Sequence, residues 1–279
     1  MKLIKYVNNS HVSKEFTKQL HTSVKEKIVS FISKNNDLFL IKVHELYIGF
    51  IHLNSNNYKI SVKLFLNSSW KDNFFEPLVY NISKLIENKN IKYVSFLHCF
   101  DSINILNKFG GIDFMHQYEC SANYNKLNPI INSNYTITTE INDYNKLIEF
   151  HNFCYSNDKD YMISNWDKML KLFPQAPFPK FTYLCYHKDI IIGSCIGYLI
   201  SKKQTKYLYS ICVHPDYQRK SIGTYLLKQF LSAKPKVNCY LTAYESASPA
   251  IKLYNKFGFK KIKTVGSIMK NEDIRSFRD

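Results

Sequence analysis

Val213-His214-Pro215-Asp216-Tyr217-Gln218-Arg219-Lys220-Ser221-Ile222-Gly223-Thr224 reads as the end of a strand, a tight turn and the first turn of an amphipathic helix. A helix start leaves its first backbone N–H groups without intrahelical acceptors and carries a partial positive charge, so it attracts anions, phosphate above all. Gly223 is small enough to let a ligand approach the backbone, and Arg219 and Lys220 add charge beside it. No Gly-Lys-Ser/Thr follows, so the turn is not a Walker loop. Upstream, Tyr207-Leu208-Tyr209-Ser210-Ile211-Cys212-Val213 is an apolar strand that Pro215 ends. Downstream, Ala250-Ile251-Lys252-Leu253-Tyr254-Asn255-Lys256-Phe257-Gly258-Phe259 is a short helix with a Gly stop.

Strand, phosphate turn and Leu-Tyr helix in this order resemble the GCN5-related N-acetyltransferases (GNAT). The resemblance is strong over residues 135–279 and faint, though positional, over 1–124. It implies an acyltransferase that moves acetyl from acetyl-CoA to a primary amine by direct attack in a ternary complex. It implies that Ile211, Cys212 and Val213 offer backbone groups to the pantetheine arm, where an N–H polarises the thioester carbonyl. Gln218, Arg219, Lys220, Ser221, Ile222, Gly223 and Thr224 would hold the pyrophosphate. It also implies that Tyr254 protonates the departing thiolate. A phenol keeps its proton at neutral pH, as that role requires.

Two positions depart from the family pattern. Ser221 stands where the pattern Gln/Arg-x-x-Gly-x-Gly/Ala has its first glycine. Ala247 stands where the family often has an Asn seven residues before the Tyr, and Ser248 is the candidate substitute for its contact to the cofactor arm. The base that takes the amine proton is open: Glu245 at the end of a strand, Tyr209, His214 or a water chain. The acceptor contacts are expected from residues 143–180. There Phe153, Tyr155, Tyr161, Trp166 and Phe178 cluster with Asp158, Asp160 and Asp167, acids that suit a cationic amine or serve as helix caps.

The same signals occur twice. Asn107-Lys108-Phe109-Gly110 matches Asn255-Lys256-Phe257-Gly258, and Asp37 to Gly49 parallels Phe181 to Gly193 as strand, charged turn and Gly-bearing strand. The expected fold is therefore α/β, two tandem GNAT-like domains, each a mixed central sheet flanked by helices. The expected boundaries are 1–124, a polar linker at 125–134 with Pro129, and 135–279. In the first copy Phe74 and Glu76 fall on Ser221 and Gly223, and Leu106 falls on Tyr254. A ring and a carboxylate would stand where phosphate belongs, so only the second copy is expected to bind acetyl-CoA.

Strands are expected at 1–8, 38–43, 46–53, 58–66, 91–97, 135–140, 181–187, 190–200, 205–213 and 237–243, with a final strand pair over 259–269. Helices are expected at 12–31, 74–87, 101–109, 143–155, 162–172, 219–233 and 247–257.

Composition adds limits. The chain has 279 residues, 45% of them hydrophobic, and no apolar run of the roughly 18 residues that suggest a membrane helix. The start Met1-Lys2-Leu3-Ile4-Lys5 leads into polar residues, unlike a signal peptide. Seven scattered cysteines without Cys-x-x-Cys support neither a disulfide framework nor a zinc site, and a reduced cytoplasm is the expected setting. The net charge of +16 is spread along a chain rich in Lys, Asn, Ile and Tyr. It suits coenzyme A phosphates as well as nucleic acid, and no helix-turn-helix or aromatic stacking motif favours the latter. A coenzyme A-binding regulator without turnover is the alternative that Ser221 and Ala247 raise.

Overall fold

The computed structural model describes residues 2–5, 38–43, 46–55, 59–66, 75–87, 91–97, 112–124, 127–156, 170, 180–200, 204–234 and 236–270. The helices expected at 12–31 and 101–109 lie outside them, as does 162–172 apart from Leu170, which is helical and buried, and so do Tyr161, Trp166, Phe178, the three acids beside them and the Asn107–Gly110 turn. The chain forms two compact units, residues 1–115 with 264–279, and residues 116–263. Residues 116–124, counted with the first copy in the sequence reading, belong to the second unit, and 264–279 to the first.

The first unit contains β1 (Lys2–Lys5), β2 (Leu38–Val43), β3 (Leu46–Ser55), β4 (Lys59–Leu66), α1 (Phe75–Leu85) and β5 (Tyr93–Leu97). β1 to β4 pair antiparallel in sequence order, and β4 pairs parallel with β5 across α1. Residues of a late strand, β12 (Lys260–Lys270), complete this sheet: Gly266 to Lys270 run antiparallel to Leu97 to Tyr93. One face of α1 is apolar, and Leu78, Val79 and Ile82 are buried against Ile41, Ile51, Val62, Val94 and Phe96.

The second unit contains β6 (Asp113–Cys120, from residue 116), β7 (Tyr135–Thr138), α2 (Tyr144–Cys154), β8 (Lys180–His187), β9 (Ile190–Ile200), β10 (Thr205–Val213), α3 (Ile222–Ser232), β11 (Cys239–Tyr244) and α4 (Ser248–Lys256). The strand order is β6-β11-β10-β9-β8-β7. Asp143 caps α2, its carboxylate accepting from the amides of Asn145 and Lys146. Helix α3 packs on one face of the sheet with Leu226, Leu227, Phe230 and Leu231 buried, and α2 packs on the other with Leu147, Ile148 and Phe150.

Two elements differ from expectation. β6 was not foreseen, because its buried positions include Asp113 and His116 as well as Tyr118 and Cys120, which disguises the apolar alternation. The expected pair over 259–269 is a single strand, β12, that runs through Gly266. Its first four residues are exposed, and burial begins at Thr264, so the change in environment is not a turn.

Candidate functional site

β10 and β11 are parallel but stay in register at only two pairs, Lys206↔Cys239 and Tyr207↔Tyr240. Both strands continue, β10 to Val213 and β11 to Tyr244, so the sheet opens between them. A bulge at Leu208/Ser210 accompanies the opening. Before it Leu208 packs on the α3 side; after it Ile211 and Val213 do, while Cys212 faces the α2 side.

Beyond the bulge the even residues hydrogen-bond toward β9, as the amide of His214 does to Ile192 O at 2.9 Å. Backbone groups alternate between the two edges of a strand. The N–H and C=O of Ile211 and Val213 therefore face the opened edge. Their carbonyls accept from side chains there: Tyr155 Oη donates to Ile211 O at 3.3 Å and Gln218 Nε2 to Val213 O at 3.4 Å.

β10 runs through a short 3-10 turn (Pro215–Tyr217) into α3. The first helical bond shown at the start of α3 joins Tyr225 N to Ser221 O, at 2.9 Å. The N–H groups of Ile222, Gly223 and Thr224 thus precede the helical ladder. Ser221, the N-cap residue, makes no side-chain cap bond, so it leaves them unoccupied. Arg219 and Ser221 both have left-handed backbones, with φ of 60° and 63°. That explains the family's glycine at the Ser221 position: a side chain in this region is strained.

A Cβ on Gly223 would lie 3.4 Å from Leu253 Cδ2 and 3.5 Å from Val213 Cγ2, ordinary contact. Alanine fits there, and a longer side chain does not share the space freely. Ile222 is 1% exposed, so it offers its amide and not its side chain. The Lys220 ammonium lies 4.8 Å from the centre of the Tyr217 ring.

Close packing fixes the helix that carries these amides. A Cβ on Gly193 would come within 2.7 Å of Ile222 Cγ2, and one on Gly197 within 2.5 Å of the Phe230 ring and against Tyr207 O. At the other end, buried Lys206 donates to Phe230 O at 3.1 Å and Leu231 O at 2.5 Å. A cation there complements the helix C-terminus, while burial lowers the Lys206 pKa to about 8.

Tyr254 lies in α4, 7% exposed, in the same apolar cluster as Ile211, Val213 and Leu253. Burial pushes its phenol well above the usual value, so the proton is held at neutral pH. Ala247 is the N-cap of α4 and supplies no side-chain bond; Ser248, exposed, donates its amide to Ser246 O at 2.8 Å.

The base candidates are placed differently from one another. Glu245 Oε2 is 3.5 Å from Nε2 of His116 on β6, whose ring Lys261 Nζ also approaches at 3.3 Å. His214 accepts the Asp216 amide at Nδ1 and stacks on Phe153 at 4.7 Å. It lines a cleft of about 380 Å³ with Lys146, Glu149, Phe153, Asp189 and Ile190. Burial raises the Tyr209 phenol to about 12, against the role of a base. Sequence reasoning missed His116, because β6 was missed, and the buried His151, whose Nε2 is 2.8 Å from Ser194 Oγ.

The model of the acetyltransferase (GNAT) family matches residues 144–259, the segment that holds the opened strands, the amide turn and Tyr254. That segment is similar to GNAT domains. Within the chain, 63 residues are 41% identical to an N-alpha-acetyltransferase of Sulfurisphaera tokodaii, and they span 21% of this chain and 38% of that relative. The whole chain is similar in fold to a GCN5-related N-acetyltransferase from Sphaerobacter thermophilus (TM-score 0.66, 12% identity, 97% of this chain and 95% of that one). It is also similar to a tandem GNAT protein from the clavulanic acid biosynthesis pathway (TM-score 0.65, 10% identity, 97% and 98%). At such identities the likeness is one of fold, and it extends the GNAT architecture over both units. The opened strand pair has no counterpart among the described residues of the first unit. There β4 and β5 pair at five positions, Lys59↔Tyr93 through Lys63↔Leu97, which uses every residue of β5. At the start of α1, exposed Glu76 puts a carboxylate in the first turn.

Proposed function

We propose that the second unit transfers acetyl from acetyl-CoA to an amine acceptor, and that the first unit binds no acetyl-CoA. The observation that carries this reading is the opened β10–β11 pair ending in an uncapped amide turn. An acyl-CoA is long, with an anionic pyrophosphate and an amide-bearing arm. Its pyrophosphate suits the N–H groups of Ile222, Gly223 and Thr224, and its arm suits the edge of β10 at Ile211 and Val213. Gln218, Arg219 and Lys220 border that turn, and Ser248 begins the helix that carries Tyr254.

An N–H of this edge directed at the thioester carbonyl stabilises the charge that develops on its oxygen. Tyr254 holds a proton in an apolar cluster and gives it to the leaving sulfur. The acceptor's own proton must be removed, and Glu245, paired with a buried histidine, is the candidate base. Glu149 and Asp189 line the cleft beside Phe153 and His214. This arrangement suits an amine carrying an apolar group. The sequence relative's N-alpha-acetyltransferase name fits such an acceptor. The domain matched there is part of that relative's length, so the acceptor is proposed on the cleft.

The test is thiol release from acetyl-CoA against a panel of small amines and peptide N-termini. Turnover with any of them supports the transferase. Binding of acetyl-CoA without turnover across the panel favours the regulator reading, for which strained Ser221 and the capless Ala247 speak.

A further inference from the structure

Lys206 sits at the closed end of the opened strand pair. It makes the first of the two register pairs that join β10 to β11, Lys206↔Cys239. Its amide donates to Asn238 O at 2.9 Å, and Asn238 is itself held to β6, its Nδ2 donating to Glu119 Oε1 at 2.9 Å. The Lys206 side chain is 1% exposed and runs to the last turn of α3, where Nζ donates to Phe230 O and Leu231 O. Carbonyls at a helix end lack intrahelical donors and carry the negative end of the helix dipole, so they offset the cost of burying an ammonium. One residue thus ties together the start of β10, the start of β11 and the end of α3. An apolar side chain would fill the same space without that cost. What the ammonium adds is direction. Helix carbonyls point along the axis, so a donor held by β10 fixes how far α3 slides along the sheet. Gly193 and Gly197 set a different coordinate, the height of α3 above the sheet.

We propose that Lys206 is a positioning residue that sets the span between the β10 edge at Ile211 and Val213 and the amides of Ile222, Gly223 and Thr224. α3 has 11 residues and is about 16 Å long, so a shift at its gripped end is carried as a rod to the amides at the other. Lys206 touches neither the edge nor the turn. The inference rests on the proposed function, in which one acyl-CoA lays its arm on the edge and its pyrophosphate on the turn. Two linked contacts reinforce each other only when their spacing matches the molecule that joins them. Loss of the ammonium lets α3 slide and spoils that match, while the strand edge itself keeps its form.

The test uses the full chain and two ligands, acetyl-CoA and S-acetylpantetheine, which keeps the thioester and the arm but lacks the pyrophosphate. Lys206→Met keeps an apolar stem and removes the ammonium. It should bind acetyl-CoA about tenfold more weakly than the parent by calorimetry, with S-acetylpantetheine affinity unchanged in an NMR titration suited to weak binding. A loss shared equally by both ligands, as a fall in folded protein would give, overturns the proposal, and so does unchanged acetyl-CoA affinity. If Lys206→Met does not fold, Lys206→Gln, which keeps an N–H donor on a shorter stem, carries the same comparison. A loss selective for acetyl-CoA supports the proposal; a shared or absent loss overturns it. A parent that binds acetyl-CoA but not S-acetylpantetheine also overturns it, because the edge then holds nothing for the turn to match. If the parent binds neither ligand, the function reading has failed and this proposal falls with it.

Discussion

Single residues carry both the site and its imperfections. Ser221 sits at φ 63° without a side-chain capping bond, so it bears strain and its hydroxyl returns nothing to the helix. Ser221→Gly should raise stability by about 1 kcal/mol, read as a higher melting temperature with acetyl-CoA binding retained. A lower melting temperature would show that the serine makes a contact the backbone angles hide. Tyr254→Phe removes one hydroxyl from a buried ring. If Tyr254 is the acid, turnover falls by roughly 100-fold or more while acetyl-CoA affinity hardly changes. Turnover within a few-fold of the parent, with chemistry limiting, makes it a packing residue. His151 is fully buried, and desolvation lowers its pKa to about 3 from 6.5. The folded state therefore binds fewer protons than the unfolded chain between these values. Its contribution to stability is full above pH 6.5 and is lost as pH falls toward 3, up to an amount on the order of 5 kcal/mol. His151→Gln keeps a polar partner for Ser194 and should flatten the acid side of the stability profile; an unchanged profile assigns acid sensitivity to other groups.

At the scale of elements, the turn from β10 into α3 was legible because its signals are local. A strand, a proline, a small-residue turn and an amphipathic helix are adjacent in sequence, and β10 and α3 formed where the pattern placed them. The opening between β10 and β11 was not legible. It depends on where a parallel register stops, which no residue of either strand announces. β6 was illegible for another reason: Asp113 and His116 occupy positions where apolar residues would have shown the alternation. The Gly-bearing strand β9 was legible, but the reason for its glycines was not. Gly193 and Gly197 let α3 lie against the sheet, and that packing sets the height of the amides at residues 222–224. Gly197→Ala would press a methyl into the Tyr207 carbonyl and the Phe230 ring. The backbone cannot yield as a side-chain tip can, so a loss of roughly 2 kcal/mol is expected, measured by denaturant midpoint. A loss near zero would mean α3 is free to lift.

At the scale of the whole molecule, the repeat announced two related halves, and the chain does form two compact units with GNAT architecture. Which residues belong to each was less legible, because the sequence reading divided the chain at a polar linker. Residues 116–120 of β6 lie beside β11 in the second unit, and bury Tyr118 and Cys120 in its core. A fragment of residues 128–263 lacks them and exposes an edge of β11, so it should melt lower and aggregate more than a fragment of residues 112–263. Equal melting of the two fragments would show that β6 adds nothing to the unit. The central claim is that acetyl-CoA is held once per chain, at the opened strands and amide turn of the second unit. Calorimetric titration of the intact protein and of Gly223→Glu tests it most directly. The account predicts one site per chain in the parent and no binding in the variant, whose carboxylate would stand at the amides as Glu76 stands at the start of α1. Two sites per chain, or unchanged affinity in Gly223→Glu, would contradict it.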